Sequence, residues 1–460
     1  MSYLEYVVIP SHLMYTPTCS IFRFPIEILR MILVEATVDS PASRQRLLGV
    51  CSEWRDILIS VPTLWTTIPI YMRDPTDRQL RMTLDCLSDR LSRCESHLLD
   101  VVWDVDGLSE SAAESLFALL SRQAPFTHWR SLELWDWSSP RLQTTNMGDF
   151  RNLEQLVIRR YAPGRFLKAI HESKTSKLRK LVILEVIASE WIRTEVLDLI
   201  RQVYRLELTE LPLSIKLPTN VKELKTSYLP LVTFTHLKLL HFITRFHPLV
   251  FSDLSFPNLV SLTITFEDRP PCFRGAVNFF ALESLTLDGS VFDSLAFISA
   301  PRLRKLAIRA SVHFAPYTSQ TTSLVRVLSE TDFLLSPSEE LDLGFPVDSK
   351  TLTLALAKMR HAETIRINMS CLKEEWRGIV AAITTVNFDL IKADSSLNTK
   401  WLVLNPDSGL DELDTGSRRK LEKDISESLG QTGINVIKIT SPSGHGIEMH
   451  LEDISGLQQR

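Results

Sequence analysis

Apolar positions recur along most of the chain as L-x-x-L-x-L. The pattern appears as "LEQLVI" from Leu153, "LRKLVI" from Leu178, "VYRLEL" from Val203, "VKELKT" from Val221 and "LKLLHF" from Leu237. It continues as "LVSLTI" from Leu259, "LESLTL" from Leu282 and "LRKLAI" from Leu303. "WRSLEL" from Trp129 precedes these, and "SEELDL" and "AETIRI" follow. Units are 16 to 35 residues apart, most of them 21 to 25. Each predicts a short strand followed by a turn or helix. Alternate strand residues share a face, so the last two apolar positions of each unit point the same way. No single unit covers that face, so the pattern predicts stacked units around one continuous core.

The ends of the chain follow other patterns. "FPIEILRMILVEA" places Ile28, Leu29, Ile32 and Leu33 at helical spacing behind Pro25 at the first helical position. "DSPASRQ" predicts a second start, with Ser40 as cap. Leu47, Val50, Cys51, Trp54, Ile57 and Leu58 then form one apolar helix face that ends before Pro62. "LDVVWDVD" alternates as a strand, and Ser111 with Glu114 fits a capping box ahead of "SLFALLSRQ". At the other end, "WLVLNP", "SRRKLEKDISESLG" stopping at Gly430, and "INVIKIT" predict a β-α-β closing piece, which a stacked array needs to cover its last unit.

The helical N-terminal region resembles an F-box over roughly residues 21–70. The matching positions are Pro25, Glu27, Ile28, Leu29, Ile32, Val50, Cys51, Trp54, Pro62, Leu64 and Trp65. Phe24 stands where the family has Leu, and Leu33 where Phe is frequent; both keep a large apolar group. The body resembles an irregular leucine-rich-repeat horseshoe that largely lacks the family's asparagine. The combination is similar to the F-box proteins of mushroom-forming fungi.

These resemblances imply an α/β chain: a three-helix F-box, a repeat solenoid and a β-α-β cap. The expected boundaries are an extension at 1–20, the F-box at 21–70, a linker helix and first atypical repeat at 71–127, repeats at 128–370 and the cap at 371–460. By the family's pattern, Pro25, Ile28, Leu29, Ile32, Val50, Cys51, Leu64 and Trp65 would dock a Skp-type adaptor, and through it a cullin-RING ubiquitin ligase. Trp54 would hold the helices together. Aromatic residues serve both roles, so the assignment of the two tryptophans stays open here.

A target protein would meet the concave face of the repeats. Strand alternation turns Trp135, Trp137, Arg159, Lys180 and Arg205 toward it. The tryptophans are candidate anchors, unless a loop covers them. The three cations are a candidate strip for an acidic or phosphorylated segment, unless they form only a solvated face.

Composition narrows the classes further. Residues 407–460 hold ten acids and six bases, which accounts for the whole net charge of −4. With no basic block, nucleic acid is not the expected partner. No apolar run approaches a membrane span, and "MSYLEYVVIPSHLMY" does not resemble a signal peptide. Six scattered cysteines without a CxxC pair suit a reducing compartment, cytoplasmic or nuclear. Phosphate-loop, dinucleotide, zincin and nucleophile-elbow motifs are absent, and His236, His241 and His247 have no metal-binding spacing. No enzyme, cofactor or metal is expected.

Overall fold

The computed structural model describes residues 24–450, apart from 38–40, 74, 106–107, 137–148, 160–163, 174–176, 185–193, 209–219, 228–233, 245–254, 267–276, 290–294, 296, 310–336, 346, 370–371, 393–398, 407–414, 430–433, 435 and 441–445. The chain forms two compact units, Met1–Leu153 with Ser173–Thr175, and Glu154–Glu172 with Ser176–Arg460.

The first unit opens with three short helices, α1 (Ile26–Glu35), α2 (Pro41–Leu48) and α3 (Ser52–Ile59). The single helix expected from Pro41 to Leu58 is two. Cys51 is extended (φ −157°, ψ 169°), and its Sγ accepts from the Trp54 amide at 3.5 Å, capping α3. Pro62–Leu64 form a single 3₁₀ turn. Three parallel strands follow, β1 (Thr67–Tyr71), β2 (Leu99–Asp104) and β3 (Trp129–Asp136), in the order of the chain.

Between these strands run α4 (Asp77–Cys94) and α5 (Glu110–Gln123), which pack on each other. The α5 cap is Ser109, not Ser111: its side chain accepts from the Ala112 amide at 3.4 Å, which starts the helix two residues earlier than expected. Trp103, Phe117, Phe126, Trp129 and Phe150 form the aromatic core of this unit, all of them buried.

The second unit is a parallel ladder in chain order. Its first six strands are β4 (Gln155–Ile158), β5 (Lys180–Ile183), β6 (Arg205–Leu208), β7 (Glu223–Thr226), β8 (Leu239–Thr244) and β9 (Ser261–Phe266). A two-residue bridge, β10 (Val277–Asn278) with β12 (Ile298–Ser299), flanks β11 (Ser284–Asp288). The ladder continues through β13 (Lys305–Arg309), β14 (Glu340–Gly344), β15 (Thr364–Met369), β16 (Trp401–Pro406) and β17 (Val436–Thr440). An antiparallel β18 (Gly446–His450) lies against β17, one strand beyond the expected β-α-β end.

The register explains why the sequence pattern repeats. Leu181, Leu206, Leu224, Leu240, Leu262, Leu285, Leu306 and Leu341 stand side by side on successive strands, each 2% exposed or less. Each leucine thus buries its neighbours, which no isolated unit would do. Phe234, Phe256 and Phe279 stack at 5.6 and 6.2 Å beneath the middle strands.

Among the described residues, helices join the strands at the two ends of this unit: α6 (Gly164–Glu172) and α7 (Thr194–Gln202) early, then α8 (Ser349–Lys358), α9 (Leu372–Lys392) and α10 (Thr415–Leu429) late. Among the described residues no helix is long and apolar enough to cross a membrane.

Candidate functional site

Two surfaces carry the residues singled out by the sequence. The first is the outer face of α1. Leu29 and Leu33 turn inward, 2% and 1% exposed, and the Thr37 hydroxyl ties the helix end by donating to the Leu33 carbonyl at 2.8 Å. The amides of Ile28 and Leu29 both donate to the Pro25 carbonyl, so the proline caps the helix one position before its expected place.

The opposite side sets large apolar residues in solvent among the charged Glu27, Arg30 and Glu35. Phe24 is 48% exposed, Ile26 57%, Ile28 38%, Met31 64% and Ile32 42%. Met31, Ile32, Val34 and Ala36, with Arg30 and Glu35, line a shallow depression there. Val50, in the break between α2 and α3, is 56% exposed. A ten-residue helix that leaves so much apolar area in water costs solubility unless something covers it.

The expected docking set therefore divides. Pro25, Ile28, Ile32 and Val50 are exposed and Cys51 is half-buried, whereas Leu29, Leu64 and Trp65 are buried within the chain. Trp65 is core: its Nε1 donates to the Leu58 carbonyl at 3.1 Å. Its own carbonyl accepts from Arg90 Nε at 3.4 Å and from the Cys94 thiol at 3.2 Å. The turn after Pro62 delivers Leu64 and Trp65 against α4, a mostly polar helix whose closeness the local pattern does not reveal. Trp54, the expected core residue, is only half-buried, with a shielded Nε1 that has no hydrogen-bond partner among the described residues. Of the two tryptophans, Trp65 is thus the more deeply buried, at 7% exposed.

The second surface is the outward face of the strands. Trp135 is half-buried on β3, and Trp137 lies outside the described residues. Strand alternation sets Val157 and Val182 opposite the inward Leu156 and Leu181, yet they are buried at 5% and 4%, so the chain itself covers that part of β4 and β5.

The expected basic strip is also divided. Lys180 and Arg205 are register neighbours, but Arg159 lies at the far end of β4, four residues or about 13 Å along the strand from Gln155, the partner of Lys180. Further along, charges pair across the register. Arg205 meets Glu223 at 3.4 Å and Lys225 meets Glu207 at 2.6 Å. His241 Nε2 lies 3.0 Å from the Thr265 hydroxyl, and burial followed by the Lys225 ammonium pushes its pKa down. On the later strands Arg309 reaches the buried Asp342 at 3.3 Å, where burial pushes the carboxyl pKa up against the pull of the arginine.

This arrangement suits recognition. Among the described residues no group of three or more His, Cys, Asp or Glu side chains could hold a metal ion. Sequence reasoning missed Phe24, Ile26 and Met31 as surface residues; their signal was a helix with large apolar residues on both faces, more than one buried stripe needs. No protein-family model and no curated protein matches the chain.

Proposed function

We propose that this chain is the substrate-recognition subunit of a Skp–cullin–F-box ubiquitin ligase, with α1 docking the adaptor and the stacked strands selecting a target. The observation that carries the reading is the outer face of α1, where Ile28 and Ile32, two positions of the F-box-like motif, stand in solvent beside the exposed Ile26 and Met31. Interfaces draw their binding energy from such central apolar anchors. The docking set is narrower than the motif implies, because Leu29, Leu64 and Trp65 serve the core.

A receptor of this kind needs no catalytic residue of its own. It holds a target beside the loaded enzyme and makes transfer effectively intramolecular. The test is reconstitution of the full chain with a Skp-type adaptor, a cullin and its RING subunit. Co-elution with the adaptor and ubiquitin transfer to a captured protein support the reading. Co-elution with no transfer to any captured protein favours a non-catalytic scaffold. No co-elution removes the reading altogether.

A further inference from the structure

The residue just before each strand of the second unit forms its own ladder. The Arg179 amide donates to the Glu154 carbonyl, Lys222 to Tyr204, Lys238 to Lys222, and Arg304 to Glu283, at 2.8 Å each. Side chains of neighbours in this ladder reach one another. Arg304 bridges Glu283 and Glu339, and Lys400 pairs with Glu363 at 2.9 Å. In the later half of the ladder, Glu283, Arg304, Glu339, Glu363 and Lys400, each cation is thus paired with an acid of a neighbouring rung.

The earlier half does not. After Glu154 at the first rung, the ladder before β5 to β8 reads Arg179, Tyr204, Lys222, Lys238, all four exposed and none acidic. Among the described residues, Arg179, Lys222 and Lys238 make no ion pair. Lys180 adds a further cation in the adjoining column, next to the Arg205–Glu223 pair. Tyr204 and Leu239, 40% and 41% exposed, place apolar surface between the charges. Lys222 and Lys238 stand on adjacent rungs and repel, and an anion laid across them relieves that cost. A cavity of about 250 Å³ opens beside the patch, lined by Arg205, Lys225, Leu239, His241 and Thr263. Its cations are already paired with Glu223 and Glu207, so it suits an uncharged side chain.

We propose that the strand-start edge of β5–β8 docks an extended acidic peptide segment, with its acids on Arg179, Lys222 and Lys238 and one uncharged side chain in the neighbouring cavity. Three inter-strand steps of about 4.8 Å span roughly 14 Å, the length of about four extended residues. That track is short for nucleic acid, whose binders neutralise many phosphates. The proposal extends the receptor reading to a class of target. Its test contains no adaptor, so failure here leaves adaptor docking standing, and the converse holds.

The test is fluorescence anisotropy of the full chain with a labelled peptide of six glutamates around a central leucine. A lysine analogue of the same length and a thymidine hexanucleotide serve as comparisons. The expected result is binding of the glutamate peptide that weakens with salt. It falls at least tenfold in Arg179→Glu/Lys222→Glu/Lys238→Glu and stays within about twofold in Arg302→Glu/Lys305→Glu/Lys350→Glu, which changes net charge equally. If circular dichroism shows the first variant unfolded, Lys222→Gln alone is used, with about threefold loss expected. Absence of binding at low salt, equal loss in both variants, no loss in Lys222→Gln, or equal affinity for the oligonucleotide overturns the proposal.

Discussion

Arg93 lies over the indole of Trp65, its guanidinium carbon 4.7 Å from the ring centroid, and Trp65 is 7% exposed. Arg44 approaches the same ring at 5.5 Å. A cation over an indole is worth about 0.5–2 kcal/mol, and the buried ring contributes more through its packing. Trp65 therefore joins α2, α3 and α4. Trp65→Ala is expected to cost about 3–5 kcal/mol in denaturant unfolding, and Trp54→Ala clearly less. Equal costs would contradict the assignment of Trp65 to the core.

The cysteines of the first unit differ in reactivity for the same structural reason. Burial raises the Cys94 thiol to about 11, and its Sγ lies against the Trp65 carbonyl, whereas Cys86 is exposed. Thiolate is the reacting form, so at pH 8 iodoacetamide is expected to label Cys86 at least about a hundredfold faster than Cys94 in the native chain. Peptide mapping after timed alkylation reads both. Trp65→Ala should speed Cys94 labelling by loosening its cover.

His241 gives the second unit a pH dependence of known sign. Its pKa in the folded chain lies below the ordinary 6.5, chiefly through burial. The unfolded chain therefore takes up a proton first as pH falls below 6.5, and stability drops through that window until the folded-state pKa is passed. His241→Gln should flatten the dependence of the urea midpoint between pH 7.5 and 5.5, and an unchanged slope would contradict it. The groups facing His241 are Lys225, Glu207, Thr265 and Asp288.

The strands were legible because their signal is local. L-x-x-L-x-L encodes both the alternation and the stacking partner, so β4 to β9 fall where the pattern places them. "WLVLNP" and "INVIKIT" likewise become β16 and β17. The break at Cys51 was not legible, because apolar spacing from Leu47 to Leu58 satisfies one continuous helix as well as two. The burial of Trp65 depends on α4, twelve residues further on, and on side chains of Arg90 and Arg93 that read as ordinary surface charge. The basic patch was missed in its true place because Arg179, Lys222 and Lys238 precede their strands, where alternation assigns no face.

Adaptor docking through the outer face of α1 is the central claim, and titration calorimetry with a purified Skp-type adaptor tests it most directly. Ile28→Asp/Ile32→Asp changes two exposed side chains and should leave the melting temperature within about 2 °C. The account predicts binding by the full chain and a loss of at least about a hundredfold in this variant, or about 2.7 kcal/mol. Adaptor binding that survives the double substitution unchanged, or no binding by the native chain, would contradict it.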